Sequence, residues 1–240
     1  MANAYVRGST NDGTATTGTT GTITPALSGS LVVLYVHGGD AAAINIIADA
    51  GAAWEPELFD FTPSSETAQI AAYWKIANGS EPAEYTFNLG SSRLYHCCYK
   101  EFSGDENSWE IDATPVNTIT AVASNDMECE AVNGETVADD SISIIMTGKD
   151  NRDAAAEAYT VVNNSYTDVL GNTASQGTAM AHRLFTTGET IGFNVRIETA
   201  DGVDPLTDKT FSAHVSFINV AASGGGFNAA WAIHANTIIG

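Results

Sequence analysis

Gln69-Ile-Ala-Ala-Tyr-Trp-Lys-Ile76 decides the fold class. Ile70, Ala72, Trp74 and Ile76 alternate with Ala71, Tyr73 and Lys75. A period of two is that of a β-strand with one buried face, so Trp74 is expected in the core and Lys75 opposite it. Upstream, Leu31-Val-Val-Leu-Tyr-Val36 is apolar on both faces, as in a central strand, and Gly38-Gly39 ends it. Ile44 to Ile47 and Trp54 to Phe61 follow, with Pro56 suited to an edge or bulge. Downstream, Tyr85, Phe87 and Leu89 alternate, and Leu94 to Phe102 completes a first half.

The second half repeats the style. Ile142, Ile144 and Met146 alternate, Thr178 to Phe185 follows, and Ile191, Phe193, Val195 and Ile197 form a further apolar face. Phe211, Ala213, Val215 and Phe217 do the same. Strands at this spacing predict an all-β protein, a jelly-roll-like antiparallel β-sandwich, with two tandem immunoglobulin-size sandwiches as the alternative. The alanine-rich stretches at 41–53 and 153–158 are helical turns at most. Ser30-Leu-Val-Val-Leu-Tyr-Val36 resembles Ser141-Ile-Ser-Ile-Ile-Met-Thr147, an offset of 111 positions, and Gly79 resembles Gly188, an offset of 109. This weak repeat divides a body at 23–222 into halves of about 23–113 and 114–222.

Residues 1–22 are poor in apolar side chains, and Thr14-Ala-Thr-Thr-Gly-Thr-Thr-Gly-Thr22 offers nothing to a core. The composition predicts an extended arm, ordered by a neighbouring subunit. Gly224-Gly-Gly226 joints a C-terminal segment, 223–240.

The chain has 9 basic and 29 acidic residues, a net charge of −20. Nucleic-acid binding needs basic residues to displace counterions, and anionic membranes are disfavoured for the same reason. No run of eighteen apolar residues predicts a membrane span, and no signal peptide is read at Met1 to Arg7. Cys97 and Cys98 are strand neighbours and point to opposite faces, and with Cys129 they read as buried thiols of a chain folded in a reducing cytoplasm.

No nucleophile elbow, P-loop or H-E-x-x-H occurs, so no catalytic, cofactor or metal residue is assigned and the chain reads as a non-enzyme. His96, His182 and His214 fall in strands and could meet as ligands, against the reading of ordinary strand histidines. Asp150-Asn-Arg-Asp153 and Asp201-Gly-Val-Asp-Pro-Leu-Thr-Asp208 could hold a structural calcium, although neither matches an EF-hand. The candidate partner or ligand contacts are Tyr5 and Arg7 on the arm, Trp109 in the polar stretch Asp105-Glu-Asn-Ser-Trp109, and Phe227 and Trp231 in the C-terminal segment.

Tyr73-Trp-Lys-Ile-Ala-Asn-Gly-Ser-Glu-Pro-Ala-Glu-Tyr-Thr-Phe87 resembles a segment of β-sandwich structural proteins of tailed bacteriophages, Tyr-x-Lys-x-Ala-x-Gly-x-Glu-Pro-x-x-Tyr-Thr-Phe. Ser28-Gly-Ser-Leu-Val-Val33 resembles the strand preceding it there. Ala50-Gly-Ala-Ala-Trp54 stands where those proteins carry a proline-rich corner, and Phe102-Ser-Gly104 resembles their strand end. The resemblance spans about 28–104. It implies a virion structural protein of the capsid decoration (cement) type, assembled in the host cytoplasm. Other virion proteins such as the major capsid protein, and further copies of itself, would be its partners. A carbohydrate-binding tail-fibre or adhesin module is the alternative.

Overall fold

The computed structural model describes residues 3–39, 43–55, 58–61, 69–104, 108–121, 126–128, 134–149, 159–161, 165–172, 178–192, 196–199 and 209–220. Among them the chain is all β and has no helix. The strands of the first half are β1 (Ala4–Thr19), β2 (Leu31–Gly38), β3 (Asn45–Ile46), β4 (Phe59–Phe61), β5 (Gln69–Ile76) and β6 (Thr86–Ser103). Those of the second are β7 (Trp109–Ala121), β8 (Asp126–Glu128), β9 (Thr136–Val137), β10 (Ser141–Lys149), β11 (Tyr159–Val161), β12 (Thr167–Asn172), β13 (Thr178–Phe185), β14 (Glu189–Thr190), β15 (Arg196–Thr199) and β16 (Lys209–Asn219).

Each half builds one main sheet, and the second half adds two small ones, β11-β15-β8 and β14-β9. The first main sheet runs β1-β6-β2-β5-β4, with β3 on the start of β6; the second runs β7-β16-β10-β13-β12. The two orders are the same once each half is counted from its own first long strand. Every ladder is antiparallel. The inner faces meet in one core: Leu31, Val33, Tyr35, Ile70, Ala72, Trp74, Cys98 and Phe102 pack with Ile142, Ile144, Met146, Met180, Ala213, Val215 and Phe217. The result is a β-sandwich whose two layers come from the two halves of the repeat.

The apolar outer face of β2 has its own cover. Val32, Leu34 and Val36 pack beneath Ile23, Ala26, Ile44, Ala77, Tyr85 and Phe87. This explains a strand apolar on both sides in an antiparallel sheet, where one face is often solvated. Cys97 and Cys98 fall on opposite faces as expected, both buried as free thiols, and burial pushes the Cys98 thiol up to about 12.

The N-terminal segment is where the sequence reading fails. Residues 4–19, part of the 1–22 stretch expected as an extended arm ordered by a neighbouring subunit, pair with β6 of the same chain along almost their whole length, from Ala4 opposite Ser103 to Thr19 opposite Thr86. An edge strand is held by backbone hydrogen bonds and needs few apolar side chains of its own. Its glycines make room: a Cβ on Gly18 would stand 2.2 Å from Phe87 Cε2, and one on Gly8 2.3 Å from Leu170 Cδ1.

Candidate functional site

Residues of the segment Tyr73 to Phe87 converge on one corner of the first sheet. Lys75 lies on the outer face of β5, opposite Val32. Its side chain is wholly buried, and Nζ stands 2.6 Å from Glu81 Oε2 and 3.0 Å from Asp49 Oδ2. Two aromatic rings enclose the ammonium, Tyr85 at 4.4 Å and Trp54 at 4.5 Å from Nζ to centroid. Such enclosure favours a cation.

Glu81 is saturated with donors. Ala52 N (2.9 Å) and Asn78 N (3.1 Å) donate to Oε1, and the Tyr85 hydroxyl donates to Oε2 at 3.0 Å. Burial by itself would raise the Glu81 carboxyl; the hydrogen bonds from Ala52, Lys75 and Asn78 outweigh it and hold it below the ordinary glutamate range. Asp49 is held in turn by Gly51 N at 2.7 Å and by Trp54 Nε1 at 3.2 Å. Gly51 must be glycine here, because a Cβ would fall 2.3 Å from Glu81 Oε2. Gly79 turns the chain between Lys75 and Glu81 at φ +84, a conformation that favours glycine. The corner also ties down β2: Ala77 exchanges backbone hydrogen bonds with Gly29 (2.7 Å) and Ser30 (2.8 Å).

A second polar pair lies between the sheets. Lys100 shares the inner face of β6 with Cys98 and Phe102, and its Nζ is 2.9 Å from His182 Nδ1. Burial, and then the Lys100 charge, lower His182 to about 3, so a neutral imidazole accepts from the ammonium. Tyr5 closes this site, its ring 4.6 Å from that of His182 and under Lys100 Nζ at 5.1 Å. Arg7 points to the other face, where Nε donates to the buried Glu101 at 2.6 Å. Tyr5 and Arg7 are thus built into the sandwich.

Trp109 is a correction. It opens β7 with 2 % exposure, packs in the inter-sheet core and donates from Nε1 to Gly29 O at 3.0 Å. The polar run before it ends at the strand, so the indole faces inward rather than toward a ligand. The histidines do not form a ligand trio either. His182 faces between the sheets, whereas His214 lies on the outer face of the second sheet with Ser143 (2.8 Å) and Ser216 (3.1 Å) on Nε2. His96 stands beside His37, ring centroids 6.2 Å apart. Among the described residues no group of three or more His, Cys, Asp or Glu could hold a metal ion. Phe227, Trp231, Cys129 and both acidic loops, 150–153 and 201–208, lie outside the described residues.

The sequence contained Lys75 and Glu81 as part of a motif but gave no sign that they meet, and Asp49 and Lys100 carried no signal. Chemically, the corner can fix a loop, bury charge and hold an amine against two carboxylates. No family model, curated protein or solved structure matches this chain.

Proposed function

We propose that the chain is a structural subunit of a tailed-phage particle, of the decoration type, that binds neighbouring subunits through its surfaces and sheet edges. The observation that carries this reading is the use made of the phage-type segment. Tyr73, Lys75, Ala77, Gly79, Glu81, Tyr85 and Phe87 all serve the corner that fixes β2, β5 and the cover above them. The most characteristic residues are therefore spent on rigidity, which is what a subunit under load in a shell requires.

Strand β1 adds a means of attachment. It is the terminal strand of its sheet among the described residues, with no described strand paired on its other side, the position at which another strand can add. The glycan-binding alternative loses its best platform, because Trp109 and Trp74 are buried and Trp54 covers Lys75.

The test is immunogold labelling of purified particles with antibody to the folded protein, beside an assay for glycan and ester turnover. Regular labelling of the shell without turnover is expected. Particles that carry none of the protein, or turnover abolished by one serine or carboxylate substitution, would overturn the reading.

A further inference from the structure

We propose that Lys75 and Asp49 are joined by an amide bond between Nζ and Cγ, formed by the folded protein itself with Glu81 as the base. The components of an acyl transfer are assembled here. The amine is the nucleophile, and it stands 3.1 Å from Oδ1 and 3.0 Å from Oδ2 of Asp49, beside the carbon it must attack. Glu81 Oε2, at 2.6 Å, is placed to take its proton. Gly51 N (2.7 Å to Oδ1) and Trp54 Nε1 (3.2 Å to Oδ2) donate to the oxygens on which charge grows in the tetrahedral intermediate.

The reaction balances without a co-reactant. The Lys75 ammonium carries three protons. Glu81 removes one, and the free amine attacks Asp49 Cγ. Oδ1, held by Gly51 N–H, remains as the amide oxygen. Oδ2 leaves as water with two protons, both from the ammonium and both relayed by Glu81, while the third stays on the amide nitrogen. Glu81 ends as it began.

The surroundings favour the product. In water, hydration of the separate ions opposes condensation. Here Lys75 and the Glu81 side chain are fully buried, Asp49 is 10 % exposed, and Trp54 and Tyr85 cover the amine. Condensation removes the buried charges of Lys75 and Asp49, whose desolvation penalty a neutral amide does not bear, and leaves Glu81 held by Ala52 N, Asn78 N and the Tyr85 hydroxyl. The second half supplies a natural control. Arg183, opposite Ser143 as Lys75 is opposite Val32, takes the place of Lys75 and pairs with Glu189, but a guanidinium is not a competent nucleophile and Glu189 is 45 % exposed.

Intact-mass spectrometry of the denatured full chain tests the bond. The wild type is expected one water below its sequence mass, with a proteolytic fragment linking Lys75 to Asp49. Asp49→Asn should form the same bond by losing ammonia and arrive at the wild-type mass. Asp49→Ala, checked as folded by circular dichroism, should keep its full mass, and so should Glu81→Gln. A folded wild type at full sequence mass after prolonged incubation at neutral pH overturns the proposal. So does a mass deficit that survives in Asp49→Ala.

Discussion

Trp74 and His182 occupy equivalent places in the two sheets. Trp74 lies opposite Val33 and meets Phe217 with ring centroids 5.2 Å apart; His182 lies opposite Ile144 and meets Phe102 at 5.0 Å. Phe102 and Phe217 also correspond, opposite Leu31 and Ile142. The inter-sheet core therefore contains one contact twice, as Trp–Phe and as His–Phe, related by exchange of the halves. The same exchange relates Lys75, opposite Val32, to Arg183, opposite Ser143, and each pairs with a glutamate a few residues on. The two halves share a scaffold and differ in polarity at the core position of Trp74 and His182.

Acid should unfold the protein early. His37 and His182 are lowered to about 3, and His96 and His214 to about 4, all chiefly by burial. A histidine whose folded pKa lies below its unfolded value near 6.5 contributes its full stability above that value and loses it as pH falls toward the folded pKa. Each loses about 1.4 kcal/mol per pH unit in that window. Together the four groups make the loss a sizeable share of the roughly 5–15 kcal/mol of a whole domain. Melting curves from pH 8 to pH 5 should show Tm falling steeply below about 6.5, with a shallower fall in His182→Met. A Tm unchanged between pH 7 and pH 5 would show that these imidazoles are not buried neutral.

The two ion pairs should differ sharply in weight. Lys75→Met removes both the ammonium that pairs with the buried Glu81 and the amide proposed to Asp49, and breaking a buried pair by itself typically costs about 3–5 kcal/mol. Arg183→Met removes a pair whose glutamate is 45 % exposed, and such pairs are worth about 0–1 kcal/mol. Urea denaturation of the two variants measures the contrast. Equal losses would contradict the burial of the first pair.

Deleting residues 1–22 should destabilise the isolated chain. The deletion removes the ladder to β6, uncovers the site of Lys100 and His182 beneath Tyr5, and takes Arg7 from the buried Glu101. A thermal melt of the truncated monomer is the check. A melt like that of the full chain would restore the view of this segment as an arm ordered only by a neighbour.

Trp74→Ala and Trp109→Ala should both be damaging, at about 3–5 kcal/mol each, since truncating a buried tryptophan costs that much. Trp109→Phe should recover much of the packing and still lose the hydrogen bond to Gly29 O. Near-wild-type melting of Trp109→Ala would return that residue to the surface.

Strand faces were legible in the sequence where apolar residues alternated. Ile70, Ala72 and Trp74 face inward with Lys75 opposite, and the repeat between 30–36 and 141–147 marks the equivalent strands β2 and β10. What escaped has physical reasons. Strand β1 is held by backbone pairing, which leaves no hydrophobic period in Gly8 to Thr19. Trp109 follows four polar residues, and composition does not show where a loop gives way to a strand. Lys75 is on the predicted face, but that face is covered, and only three-dimensional closure brings Asp49 and Glu81 to it. The inward Lys100 runs against polarity altogether, and its partner His182 comes from the other half.

A shared core makes the two halves the two layers of one sandwich. Its most direct test is to produce residues 1–107 and 108–240 separately and follow each by circular dichroism and thermal melting, alone and mixed. Each half exposes an entire core face when alone, so neither should melt cooperatively, and the mixture should recover a cooperative transition. A cooperative transition in either half by itself would contradict the shared core.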